Sequence, residues 1–184
     1  QWTKEAKKIW PDSEIIVFDV PKSFEFLYKE HGYKYHLGVL SDIDNNTVKF
    51  FQNSEHPTGN SYYKEIGHSK SDDVYPECNY TEEQTMKLSS VVRNNNFPEP
   101  DLIKFDVQGA ELDIIKGSID LINKAKYLIV ELQKIEYNRG APLKNETINY
   151  LENNGWELIT KMPFSDNGPD GDYCFKRIQT LGNI

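Results

Sequence analysis

Leu102-Ile103-Lys104-Phe105-Asp106-Val107-Gln108-Gly109-Ala110-Glu111-Leu112 is the stretch on which the fold turns. Its first half is a mostly apolar strand, Gln108-Gly109 is a tight turn, and residues 110–116 form a helix with Leu112 and Ile115 on one face. Gly109 permits the sharp strand-to-helix reversal, and Glu111 falls in the first helical turn, where negative charge suits the macrodipole. A plain strand-turn-helix accounts for both residues. It does not account for Asp106 beside apolar neighbours, which makes that carboxylate a candidate functional group.

Working outward, Tyr127-Leu128-Ile129-Val130-Glu131-Leu132 is a second strand of the fully buried type. Residues 145–153 form a helix closed by Gly155. Strands at 156–160 and 172–176 follow, joined by a loop at 164–171 short enough for an antiparallel pair. Upstream, residues 2–10 have a helical pattern, and residues 15–18 are a β-branched and aromatic strand ending at Asp19. Pro21 and Ser23 open a helix that ends near His31-Gly32, and a strand at 35–40 comes next. Helices alternating with buried strands predict a parallel α/β sheet. The rhythm breaks over 41–83: a turn at 42–46, a strand at 47–51 with 59–66 as its expected partner, and a polar loop at 68–79. Regularity returns at 85–92, followed by the turn signal Asn94-Asn95-Asn96.

The chain has 184 residues, 38% of them hydrophobic, which predicts one globular domain over 1–184. A net charge of -8 and a pI near 5.0 argue against nucleic acid as a partner. No apolar run approaches a membrane span, and the start Gln1-Trp2-Thr3-Lys4 lacks a signal peptide's apolar core. Two cysteines, Cys78 and Cys174, make no disulfide framework and suit free thiols in a reducing compartment, so the expected location is cytoplasmic.

In a parallel α/β sheet, ligands bind beyond the carboxyl ends of the strands. Asp19, Ser41-Asp42, Asp106 and Glu131 all fall at or near such ends, predicting a row of carboxylates along one sheet edge. Each acid has a plainer role open to it, capping the next helix or facing water. Together they suit a hydroxyl-rich or cationic ligand. Asp19 is placed to accept two ribose hydroxyls, since a bidentate acceptor matches a cis diol, and Ser41-Asp42 to meet an adenine edge.

The 102–112 run, with Lys116-Gly117 after it and the 127–132 strand beyond, resembles the signature of the FkbM family of S-adenosylmethionine-dependent methyltransferases. Val17-Phe18-Asp19-Val20-Pro21, Phe24-Glu25-Phe26-Leu27, Gly38-Val39-Leu40-Ser41-Asp42 and Gly59-Asn60-Ser61-Tyr62 extend the resemblance over nearly the whole chain. It implies a Rossmann-like class I methyltransferase sheet in three αβα layers, mostly parallel with an antiparallel C-terminal strand. It also implies S-adenosylmethionine as cofactor and methyl transfer to a hydroxyl of a small molecule or sugar. Asp19, Ser41, Asp42 and Asp106 are then the expected cofactor contacts, with Asp106 near the sulfonium and amino end. Asp106 is the first choice for a general base, with Glu111 second and the four histidines weaker. No ligand spacing demands a metal.

Two departures from the family pattern stand out. Gln108 occupies a position where the family usually has Glu, and Gln1-Trp2-Thr3-Lys4 resembles the sequence just after the family's glycine-rich cofactor loop. The expectation is therefore a domain without its first strand and that loop. Two readings compete with an active enzyme. One is a truncated or non-catalytic domain, for which dimerisation at the sheet gap is a remedy. The other is an NAD-type Rossmann domain, disfavoured because Gly-x-Gly-x-x-Gly is nowhere in the chain.

Overall fold

A computed structural model describes residues 2–52, 57–66, 79–161 and 168–178. In chain order the elements are α1 (Trp2–Ile9), β1 (Ile16–Asp19), α2 (Glu25–Glu30), β2 (Lys34–Leu37), β3 (Val39–Leu40), β4 (Thr47–Phe51) and β5 (Tyr80–Met86). There follow α3 (Leu88–Asn94), β6 (Leu102–Phe105), α4 (Glu111–Gly117), α5 (Ile119–Ile122), β7 (Tyr127–Glu131), α6 (Lys144–Asn153), β8 (Trp156–Lys161) and β9 (Asp172–Arg177). The fold is mixed α/β, and the chain divides into two compact units, Gln1–Val39 and Leu40–Ile184.

In the first unit, β1 and β2 pair in parallel, with Val17 opposite Tyr35 and Asp19 opposite Leu37. α1 stops where Lys7 Nζ reaches forward to the Pro11 carbonyl at 2.8 Å. Gly32, at φ +66°, lets the chain turn out of α2 toward β2.

The second unit holds a four-stranded sheet of order β6-β7-β9-β8 and a three-stranded sheet of order β3-β5-β4. β6 and β7 are parallel, whereas β9 runs antiparallel to both β7 and β8. The 102–105 and 127–131 strands are fully buried on one face only: Phe105, Leu128, Val130 and Phe175 lie inside, whereas Lys104 and Ile129 on the other face are part exposed and Tyr127 is exposed. Leu128 lies opposite Phe175 in register. α4 buries Leu112, Ile114 and Ile115, while Ile122 of α5, Leu151 of α6 and Trp156 of β8 are likewise inside. Trp156 satisfies its indole N–H on Asn123 Oδ1 at 3.0 Å.

The strand-turn-helix at 102–117, the 127–131 strand, α6 and the antiparallel pair β8–β9 stand where the sequence predicts them. Three segments differ. The expected 35–40 strand breaks at Gly38, whose N–H turns to the Asp19 carbonyl at 2.8 Å. β4 takes β5, not 59–66, as its partner, with Val48 opposite Glu83 and Lys49 opposite Glu82. Segment 59–66 contributes only isolated bridges, Ser61 to Phe51 and Glu65 to Asn138. The 85–92 regularity divides between the end of β5 and the start of α3. Asp44 fixes that junction, accepting the Lys87 backbone N–H at 2.8 Å and the Ser90 hydroxyl at 2.7 Å. Cys78, most of the 53–79 segment and part of the 164–171 loop lie outside the described residues. Among the described residues no helix is long and apolar enough to cross a membrane.

Candidate active site

The turn between β6 and α4 carries the densest chemistry. Gln108 and Gly109 both have positive φ, +54° and +101°, so two successive left-handed residues reverse the chain. A Cβ on Gly109 would sit 2.7 Å from the Ala141 Cβ, so close packing demands glycine there as well as conformation. Glu111 is only 5% exposed. Its Oε1 accepts the backbone N–H groups of Val107 at 3.0 Å and Gly109 at 3.3 Å, bracing the turn from inside. Burial outweighs these donors and pushes its carboxyl up to about 7.

Asp106 and Glu131, at the ends of adjacent parallel strands, come within hydrogen-bonding reach of one another. The Gln108 side-chain amide spans the pair, donating to Glu131 Oε2 at 2.8 Å and to Asp106 Oδ1 at 3.3 Å. Lys104 Nζ lies on the other side, 3.0 Å from Asp106 Oδ2 and 3.2 Å from Asp172 Oδ1. The two carboxyls are driven apart in acidity. Partial burial works against the Asp106 charge, but Lys104 and the hydrogen bonds prevail and hold the group below the usual carboxylate range. Burial, then the facing charges of Asp106 and Asp170, push Glu131 up to about 8. Burial also opposes the Lys104 charge, yet the flanking carboxylates keep it firmly protonated. Asp106 remains half exposed and open to a ligand, whereas the Lys104 side chain does not.

Ser41 is buried and Asp42 exposed. The Ser41 hydroxyl donates to Asp42 Oδ1 at 3.2 Å and lies 3.3 Å from the Tyr62 hydroxyl. Tyr62 and Tyr63 both donate to Asp113 Oδ2 on α4, at 2.9 and 2.7 Å. Burial, above all, pushes both phenols well above the ordinary range, so they act as donors and not as bases. Ser61 reaches the Val107 carbonyl at 3.4 Å, which lays the 60–66 segment along the β6–α4 turn. Gly117 ends α4 against the Asp42 backbone, where a Cβ would be 2.5 Å from the Asp42 Cα. Behind these, the buried amide of Asn138 donates to the Tyr63 carbonyl at 2.8 Å, and Gln133 accepts the Asn138 backbone N–H at 3.1 Å.

Asp19 lies in the first unit, where its carboxylate accepts the Val20 N–H at 2.8 Å and the Tyr28 hydroxyl. Of the histidines, His31 and His36 are also in that unit; His56 and His68 lie outside the described residues. Within the second unit, then, Asp106 and Glu131 are brought together, Glu111 underlies them, and Ser41-Asp42 belong to a separate hydroxyl network. Sequence reasoning missed Tyr62, Tyr63, Asp113, Gln133 and Asn138. Adjacent tyrosines in a polar segment were the one available signal for the first two.

A half-exposed, ionised carboxylate beside a second carboxyl can bind a cationic group or accept a proton from a hydroxyl. Among the described residues no cluster of three or more His, Cys, Asp or Glu is arranged to hold a metal ion. The donor set suits a cationic cofactor with hydroxyl and amino groups: anionic acceptors at Asp106, and a serine-carboxylate pair at Ser41-Asp42. None of the curated proteins and none of the solved structures compared with the chain matches it. The model of the methyltransferase FkbM domain matches residues 12–158, a span that includes both carboxylates, the bridging Gln108 and the tyrosine segment. By that match the chain belongs to the FkbM methyltransferase family.

Proposed function

We propose that the chain is an S-adenosylmethionine-dependent methyltransferase that methylates a hydroxyl group of a small molecule or sugar. The observation that carries this reading is the Asp106 carboxylate, held ionised by Lys104 and half open to solvent at the end of β6. When bound, S-adenosylmethionine supplies a methyl group already activated on a cationic sulfonium. The protein's share is to hold the reactants in line and to manage one proton. Asp106 offers its negative charge to the cationic end of the cofactor and is the best-placed acceptor for the hydroxyl proton. Asp19 is assigned the ribose hydroxyls, and Ser41 and Asp42 the adenine edge. Glu111, second choice as a base, contributes chiefly by holding the turn that aims Asp106.

The same reading takes 1–184 as one Rossmann-like, three-layer domain whose mostly parallel sheet ends in an antiparallel strand. The parallel pairs β1–β2 and β6–β7 and the antiparallel β9 support it. Acidic net charge and sparse cysteine support a cytoplasmic protein without a nucleic-acid partner. Isothermal titration of the full chain with S-adenosylmethionine and S-adenosylhomocysteine tests the proposal. Saturable heat is expected, weakened about tenfold or more in Asp106→Asn. Absence of heat at millimolar cofactor, from a folded sample, overturns the enzyme reading in favour of a non-catalytic domain.

A further inference from the structure

The geometry points to Gln108 as a positioning residue: its amide clamps Asp106 to Glu131 across the ends of β6 and β7 and so keeps Asp106 available as an anion. The inference deepens the proposed function, since its consequence for catalysis rests on the role given there to Asp106. The clamp itself does not.

Gln108 sits in the left-handed region at φ +54°, a conformation that side-chain-bearing residues adopt reluctantly. Glycine would be the conformationally easy choice, as at the next position, Gly109. The side chain is what distinguishes Gln108, and both of its contacts go to the carboxyl pair, Glu131 Oε2 at 2.8 Å and Asp106 Oδ1 at 3.3 Å. Two carboxyls this close repel one another when both are ionised and otherwise share a proton. A neutral amide that donates to each favours the charged form of each without adding charge. Glutamate of the same length would do the opposite, bringing a third carboxylate against Asp106 and Glu131, with Asp170 also bearing on Glu131. Lys104 cannot substitute for the clamp. It faces Asp106 and Asp172 from the other side, and its direct hydrogen bonds leave Glu131 out. Gln108 therefore sets the spacing and the charge of the pair.

Two variants of the full chain, read by ¹³C-carboxyl NMR titration without ligand, test the clamp. Gln108→Gly removes the amide while suiting the backbone, so folding is preserved. Gln108→Glu replaces the donor with a third acid. The expected result is an upward displacement of the Asp106 and Glu131 titrations in both variants, by about one pH unit or more in Gln108→Glu. Coincident titrations in wild type and both variants, with native spectra elsewhere, would overturn the inference. Cofactor titration of the same samples separates it from the enzyme reading. Shifted carboxyls with no cofactor heat in any sample leave the clamp standing and remove the methyltransferase reading. Cofactor heat with unshifted carboxyls does the reverse.

Discussion

Glu111 uses its carboxyl to hold the backbone of its own turn, and in doing so becomes an acid buried against its charge. Its folded-state value of about 7 lies above the 4.5 of a free glutamate, so the fold favours the protonated form. The stability this lends is full below pH 4.5 and is lost as the pH climbs through about 7. Glu111→Gln keeps an acceptor for Val107 and Gly109 but cannot ionise. Urea unfolding at pH 5 and pH 8 should show wild type losing up to about 3 kcal/mol more than the variant over that interval. Parallel profiles would mean that Glu111 is ionised in the fold throughout. Two residues earlier, Gly109→Ala meets both φ +101° and the Ala141 Cβ at 2.7 Å. A loss of about 2–4 kcal/mol in unfolding free energy is expected.

Among the elements, α4 does more than fill the core. Its inner face buries Leu112, Ile114 and Ile115, while Asp113 gathers the hydroxyls of Tyr62 and Tyr63. Replacing that acceptor by Asp113→Ala leaves the part-buried Tyr63 phenol without its acceptor and Tyr62 with Ser41 alone, and should cost about 2–3 kcal/mol, against about 1 kcal/mol for Tyr63→Phe, by thermal or urea unfolding. A similar small loss for both would show that water takes over as acceptor. The elements also show where sequence is informative. Strands β6 and β7 and helices α4 and α6 carry their own periodicity and end on Asp106, Glu131 and Gly155, so local pattern finds them. Strand β5 does not: Tyr80-Thr81-Glu82-Glu83-Gln84-Thr85-Met86 is polar, and only Thr85 is buried. Its pairing with β4 rests on cross-strand neighbours such as Lys49 and Glu82, about thirty positions apart in the chain. The site divides in the same way. Asp106 and Glu131 are legible as acids at strand ends, but the Gln108 amide's reach to Glu131, the Tyr62-Asp113 contact and the Asn138-Tyr63 contact depend on segments that meet only in three dimensions.

On the scale of the whole molecule, the buried side chains are unevenly distributed. Ala6 and Val39 are the only described residues of the first unit among the buried hydrophobics, whereas the second unit has a core running from Phe50 to Phe175. Opening free energy follows buried apolar contact, so amide hydrogen exchange should be slowest at Leu128, Val130 and Phe175 and faster by orders of magnitude in β1 and β2. Uniform protection across both units would contradict the assignment of the stable core. Within the second unit, the strand order β6-β7-β9-β8 has a consequence for the chain as it is made. β9, Asp172–Arg177, is synthesised after both of the strands it separates, so until it emerges β7 has a bare edge and β8 has no partner in its sheet. A nascent chain halted at Gly171 holds every residue of the carboxyl clamp and still lacks the strand that closes the sheet beside it. Ribosome-bound chains of increasing length should therefore gain protease resistance in one step, after Arg177 has cleared the exit tunnel.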